Sequence, residues 1–155
     1  MSEDLLYEVQ GAAAWLTINR EARRNAISLE VVQLFDQYLD AAESDENVRA
    51  VCITGAGEKA FCVGADLAGA AAGTEGNPQQ AYADLLKRIT GFPKPTVARV
   101  NGHCMAGGTG FMLACDIVVA VDTAKFGTPE VNVGLFPMMI GALIFRNVLT
   151  KKAME

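Results

Sequence analysis

Residues 96–121 read TVARVNGHCMAGGTGFMLACDIVVAV, and their order decides the class of fold. Residues 96–100 form a short apolar run behind Pro93 and Pro95, which stop a preceding helix and bias the chain toward an extended form. Asn101-Gly102 is a turn. Residues 107–115 open on glycine and continue apolar, which predicts a Gly-led helix, and residues 117–121 are again a strand, rich in β-branched side chains.

The same alternation extends outward in both directions. Residues 5–9 and 13–19 are extended segments separated by Gln10-Gly11, as in a hairpin. Ser28 can cap a helix that runs to about Ser44. Its Val31, Val32, Phe35, Leu39 and Ala42 trace one helical stripe. Residues 48–54 (VRAVCIT) predict a buried strand that Gly55 and Gly57 end. Residues 60–63 are short and apolar and lead into Gly64-Ala65-Asp66. Residues 70–80, rich in Ala, Gly, Asn and Pro, read as a loop or a loosely held helix. Residues 81–90 predict a helix, and residues 138–149 a last one after the turn-rich Thr128-Pro129. Strands alternating with helices argue for a single α/β domain over residues 1–155, with helices packed on a sheet. No repeat is visible at the level of residue identity.

Composition narrows the function. A hydrophobic share of 51% over 155 residues is enough for one domain with a real core. A net charge of −5 implies no basic face and makes nucleic acid an unexpected partner. The longest nearly apolar stretch, residues 111–121, is too short to span a bilayer and contains Asp116. The acidic Met-Ser-Glu-Asp start lacks the basic and apolar regions of a signal peptide. Cys52, Cys62, Cys104 and Cys115 form no CxxC pair, and a single His is available to join them. No zinc site is expected, and a reduced, cytoplasmic setting is. No GxGxxG dinucleotide fingerprint is present.

Two glycine-bearing turns carry the chemical signal: Phe61-Cys62-Val63-Gly64-Ala65-Asp66-Leu67, and Asn101-Gly102-His103-Cys104-Met105-Ala106-Gly107-Gly108-Thr109-Gly110. Each is expected to join a strand to a helix. A helix start offers unpaired N–H donors and the positive end of a dipole, and glycine lets a ligand come close to the backbone. Two such donors aimed at one point would stabilise a developing oxyanion or enolate. Composition leaves open whether they converge.

The segments GEKAFCVGADL, KPTVARVNGHCMAGG and ACDIVVAVDTAKFGTPEVNVGLFP, with LTINREARRNAI near the start, resemble the signature of the enoyl-CoA hydratase/isomerase (crotonase) family. The resemblance runs from about residue 13 to residue 137. It implies a crotonase-like ββα spiral lacking the C-terminal helical part, an acyl-CoA as substrate with no separate cofactor, and a homotrimer or hexamer of the full-length protein. By position, Ala65 and Gly107 match the two oxyanion-hole donors, and Ala65, Asp66, Leu67 and Ala68 match the edge of the CoA pocket, with Gly107 shared between the two roles. Glu130 matches one of the family's catalytic carboxylates. The second would stand three residues after Gly107, where this chain has Gly110. Asp116 matches a structural position.

That departure shifts the expected chemistry. Adding water to a double bond benefits from two acid/base groups, whereas one carboxylate can carry a proton from one carbon to another. The resemblance to single-Glu members implies an isomerase moving a double bond from C3 to C2 of an enoyl-CoA. The alternatives are a hydratase or related thioester enzyme with a divergent second acid/base, and a non-catalytic acyl-CoA binder. Relatives also continue beyond the position of Glu155 through helices that close the acyl pocket. Residues 131–149 are therefore expected to lack a full apolar cover. Taken singly, Glu130 also fits a surface loop, and Val131, Val133, Leu135 and Phe136 are the neighbours expected to desolvate it. His103 reads as structural or solvent-facing, Cys62 and Cys104 as small core residues, and Arg23-Arg24 as either phosphate ligands or a solvated pair. Met138-Met139 fits core or acyl pocket equally.

Overall fold

A computed structural model describes residues 4–66, 77–134 and 136–154. Two strands, β1 (Leu5–Gln10) and β2 (Ala13–Ile18), form the expected hairpin, in register from Leu5 opposite Ile18 to Gln10 opposite Ala13. A single 3-10 turn, Glu21–Arg23, leads to helix α1 (Leu29–Ser44). The Ser28 hydroxyl accepts the Val31 N–H at 3.2 Å and caps it, and the apolar stripe read from the sequence is its buried face.

Three similar turns of chain follow. The first is β3 (Ala50–Gly55), β4 (Ala60–Cys62) and α2 (Pro78–Thr90). The second is β5 (Thr96–Val100), β6 (His103–Met105) and α3 (Gly107–Ala114). The third is β7 (Ile117–Ala120), β8 (Phe126–Gly127), a 3-10 turn at Pro129–Val133 and α4 (Met138–Asn147). A short helix α5 (Thr150–Ala153) comes last. In each turn the first strand joins one sheet and the second strand joins another. The sheets have the orders β1-β2-β3-β5-β7 and β4-β6-β8, and every pairing except the hairpin is parallel. This is the ββα spiral. Its repeat lives in the backbone path and leaves no trace in residue identity.

Several boundaries differ from the sequence expectation. Helix α2 begins at Pro78, before residue 81, because the Asn77 side chain accepts the Gln80 N–H at 3.1 Å and proline sits at the first helical position, where its missing donor costs nothing. The last helix, expected over 138–149, ends at Asn147 where Val148 turns extended, and a separate short helix follows at Thr150–Ala153. Strands β6 and β8 had no counterpart in the sequence reading: three and two residues are too short to show a period. Most of the loop read over 70–80 lies outside the described residues.

The core sits between the larger sheet and the helices. Phe35 of α1 and Phe111 of α3 meet at a ring-centroid distance of 4.9 Å, and Tyr82 of α2 meets the Phe111 ring edge-on at 5.4 Å. Arg88 clamps α2 to α1, donating to the Asp36 carbonyl and to the Asp36 and Asp40 carboxylates. Asp116 is structural, as expected. Its carboxylate takes the Thr96 N–H at 2.8 Å and hydroxyl at 2.9 Å, fixing β5 against β7.

Candidate active site

The spiral aligns the C-terminal ends of β4, β6 and β8 side by side in the smaller sheet. The residues just beyond those ends are Gly64-Ala65, Ala106-Gly107 and Thr128-Pro129-Glu130. Carboxyl ends of parallel strands are where α/β folds place ligands, and all three catalytic candidates read from the sequence lie there.

The two glycine-bearing turns touch. Gly64 holds φ at +99°, and a Cβ on it would lie 2.7 Å from the Ala106 Cβ and 3.1 Å from the Gly107 nitrogen. Only glycine permits both the conformation and the approach. Gly108 does the same for the other wall: its added Cβ would meet the Cys62 carbonyl oxygen at 2.2 Å, so α3 is able to start directly on β4. Ala106 carries a positive φ of 49°, a conformation that costs an L-residue roughly 1–3 kcal/mol and tends to persist at functional sites.

The Ala65 donor is turned outward by a parallel bridge to Ile27. Ile27 donates to the Gly64 carbonyl and Asp66 donates to the Ile27 carbonyl, each at 2.8 Å. In such a bridge the N–H of the intervening residue faces the opposite side. Gly107 is the first residue of α3, where an N–H has no intrahelical acceptor. Among the described residues, neither N–H finds an acceptor. The Ala65 turn is thus built by a bridge to a distant segment. The helix expected after it lies outside the described residues, as do Leu67 and Ala68.

Asp66 is tied to the segment that precedes α1. Its carboxylate is 7% exposed and faces Arg20, whose Nη2 reaches Oδ2 at 2.8 Å. Arg20 also binds Asp4 at 2.9 Å and donates to the Ala26 carbonyl at 2.6 Å. The Asp66 side chain anchors the Ala65 turn. The sequence reading passed over Arg20 and also Asn25. Asn25 is fully buried at φ 56° and donates to the carbonyls of Ala56 (3.0 Å) and Ala60 (2.8 Å), bracing the entry to β4. A polar residue between Arg24 and Ala26 offers no periodic signal, so only its burial identifies it.

Glu130 sits on the 3-10 turn after β8, which pairs with β6 so that Met105 lies opposite Gly127. The Gly127 carbonyl accepts the Ala106 N–H at 2.9 Å, tying the Glu130 segment to the Gly107 turn. Glu130 Oε2 is buried and has no hydrogen-bond partner among the described residues. A buried carboxylate oxygen without a donor is uncommon in native proteins, which makes Glu130 a candidate for a functional part. Of the neighbours expected to desolvate it, Val131 is 57% and Phe136 65% exposed, while Leu135 and the Val133 side chain lie outside the described residues. Burial, with Cys62, Cys104 and Glu130 nearby, holds the Tyr82 hydroxyl of α2 well above its ordinary 10.

Gly110 is enclosed. A Cβ there would stand 2.6 Å from the Tyr82 hydroxyl, 2.7 Å from Ile140 Cγ2 and 3.2 Å from Leu86 Cδ1. Of the remaining candidates, His103, Cys62 and Cys104 are accounted for by hydrogen bonding and packing. His103 is exposed and accepts the Lys125 N–H at 3.3 Å. Cys62 and Cys104 are buried, and desolvation pushes both thiols up to about 12. Arg23 is exposed and lies 3.8 Å from Asp66. Of the methionine pair, Met138 is 79% exposed.

A spiral of three ββα turns, with two unpaired N–H donors and an orphan carboxylate beyond its smaller sheet, defines the class. The chain belongs to the enoyl-CoA hydratase/isomerase family, whose model matches residues 8–155. A Thermus thermophilus protein, provisionally named an enoyl-CoA hydratase, is 40% identical over 152 residues, covering 94% of this chain and 60% of its own length. The short-chain-enoyl-CoA hydratase of Clostridium acetobutylicum is 35% identical over 143 residues, covering 86% and 52%. The crystal structure of an enoyl-CoA hydratase from Bacillus anthracis superimposes with a TM-score of 0.91 at 29% identity, covering 97% of this chain and 60% of that one. The chain therefore spans about half to three-fifths of the length of these relatives. Among the described residues no helix is long and apolar enough to cross a membrane, and no cluster of His, Cys, Asp and Glu could hold a metal ion.

Proposed function

We propose that this chain holds the thioester oxygen of an acyl-CoA on the N–H groups of Ala65 and Gly107, while Glu130 moves a proton between C2 and C4 of a 3-enoyl chain. CoA is part of the substrate and no cofactor takes part. The observation that carries the reading is the orphan Glu130 Oε2 beside a turn whose own donor is free. The proton on C2 of a thioester is weakly acidic, so both parts are needed. The two donors lower the cost of the enolate, each worth roughly 2.7–4 kcal/mol in comparable sites. The carboxylate takes the proton from C2 and returns it to C4, which leaves the double bond between C2 and C3 and restores the base. Leu67 and Ala68 complete the CoA edge in this reading, and the full-length protein works as a homotrimer or hexamer in the cytoplasm.

The crowding over Gly110 supports a one-carboxylate mechanism, since it leaves no room for a second acid/base at that position. A hydratase is the second reading, favoured by the hydratase names of the relatives in Thermus thermophilus and Clostridium acetobutylicum. Turnover of 3-enoyl-CoA against 2-enoyl-CoA separates the two. Glu130→Gln keeps the shape and removes the base, so the isomerisation rate should fall by roughly 10²–10⁴-fold while CoA-ester binding survives. Retention of most of that rate, or rapid hydration of 2-enoyl-CoA with no shift of 3-enoyl-CoA, overturns the proposal. Binding of CoA esters without turnover of either substrate also overturns it and leaves an acyl-CoA binder.

A further inference from the structure

Tyr82 has no assigned part in the chemistry above, yet it meets both Gly107 and the space over Gly110. Its hydroxyl donates to the Gly107 carbonyl. The same oxygen lies 2.6 Å from where a Gly110 Cβ would be and 3.5 Å from where a Gly107 Cβ would be. Its ring is held edge-on against Phe111 at 5.4 Å, so the hydroxyl has little freedom to leave. The residue is only 6% exposed.

We propose that Tyr82 is a positioning and selectivity residue of this site: its hydroxyl fixes the Gly107 backbone, and its bulk fills the space over Gly110 that a second acid/base or its water would need. The inference rests on the acyl-thioester reading above. Gly107 has no Cβ and stands at the first position of α3, where neighbouring peptides are least restrained by helical hydrogen bonds. A donor on its carbonyl restrains the residue whose N–H faces the substrate oxygen. Such preorganisation is what makes an oxyanion donor effective, because nothing then reorients as charge develops. The hydroxyl stays protonated, and so stays a donor, through and beyond neutral pH, because burial disfavours its anion. On the other flank, Tyr82, Leu86 and Ile140 close the volume above Gly110. Water that could attack a double bond from that side has no place to stand, which leaves proton transfer by Glu130 as the open route.

The test reads carbonyl polarisation and needs no turnover. A conjugated 2,4-dienoyl-CoA is titrated into the full-length protein and its ultraviolet absorption followed. In the wild type the band should move to longer wavelength, as the two donors pull charge onto the thioester oxygen. Tyr82→Phe keeps the ring and its contact with Phe111 and loses the hydroxyl. It should bind with a Kd within about threefold of wild type, under 1.4 kcal/mol on the tenfold scale, and lose at least half of the shift. A purely structural tyrosine would change affinity or stability and leave the shift per bound ligand intact. Should Tyr82→Phe not fold, Tyr82→Met, which fills much of the volume without a donor, is read in the same way. An undiminished shift in the variant overturns the part given to Tyr82 and leaves the acyl-thioester reading standing. Absence of any shift in the wild type overturns both.

Discussion

Gly110 stands where the family resemblance would place a second carboxylate, and the space over it is closely packed. A carboxylate cannot simply be put back: the added Cβ alone would overlap Tyr82 and Ile140. The expected result of Gly110→Ala follows from weighing two effects. In a helix interior, alanine gains about 0.8–1.0 kcal/mol over glycine. Forcing atoms into a packed core costs roughly 1–3 kcal/mol, and the neighbours here are a buried tyrosine and a buried isoleucine that have nowhere to move. The clash should win, so urea denaturation is expected to show a less stable Gly110→Ala protein. Paired with Tyr82→Phe, the same change should cost less, since one of the two overlaps is gone. A more stable Gly110→Ala chain would mean that the space over the residue is open.

At the scale of elements, the smaller sheet is held in place by side chains more than by its own strands. Strands β4, β6 and β8 run to only three, three and two residues, too short to fix their own register. Asn25 and Asn101 take over that task. Asn101 accepts the Thr54 hydroxyl at 3.2 Å and the Gly55 N–H at 3.1 Å, and donates to the Gly57 carbonyl at 2.7 Å. Asn25 holds the carbonyls of Ala56 and Ala60 from the other side, and its Oδ1 accepts the Arg20 N–H at 3.0 Å. Asn25→Ala would take the donor from the part-buried Ala56 carbonyl and leave the Ala60 carbonyl only the longer 3.4 Å bond from Asn101, at roughly 1–3 kcal/mol for a group so orphaned, and would put alanine at a φ of 56°. The melting temperature should drop, and binding of CoA esters should weaken with it, because Asn25 stands next to the Ile27 that orients Ala65. A melt unchanged from wild type would show that β4 is fixed by other contacts.

The whole molecule exposes apolar surface at one edge of each sheet. All of β7, the edge strand of the larger sheet, is exposed, with Ile117 at 52% and Val119 at 59%. Phe126 on β8 is 49% exposed, and Met138 and Leu149 are 79% and 83% exposed. An open strand edge beside apolar side chains is a template for association. The 155-residue chain should therefore self-associate, and light scattering should report a mass that rises with concentration. A strictly monomeric chain with a cooperative, concentration-independent melt would contradict this.

Alkali should also unfold the molecule sooner than acid-base symmetry would suggest. Burial pushes Cys62, Cys104 and Cys115 from their ordinary 9.0 up to about 12, and Tyr82 upward from 10.0. The unfolded chain loses those protons first, so above pH 9 it binds fewer protons than the native state and stability falls with rising pH. The stabilisation is fully present below pH 9 and fades through the window from 9 to about 12. Denaturant midpoints measured at pH 7, 9 and 10.5 should decline in that order, and a flat series would show that these thiols ionise freely in the folded chain.

What the sequence determined by itself was local or tied to the family pattern. The Ser28 cap, the α1 stripe, the Gly64 and Gly107 turns and the strand-helix alternation each depend on neighbours within a few positions, and such signals survive in a linear string. The likeness of four segments to one family supplied Ala65, Gly107 and Glu130 as a set. What only the tertiary structure decided lies between segments. The bridge from Ile27 turns the Ala65 donor outward, Arg20 claims the Asp66 carboxylate, and strands of two or three residues bring three turn ends together. Tyr82, from a different helix, settles what stands over Gly110. Hydrogen bonding and excluded volume act between atoms that touch, and touching across 25 residues of chain, as Tyr82 and Gly107 do, is fixed by the path of the spiral, which no periodicity or composition records.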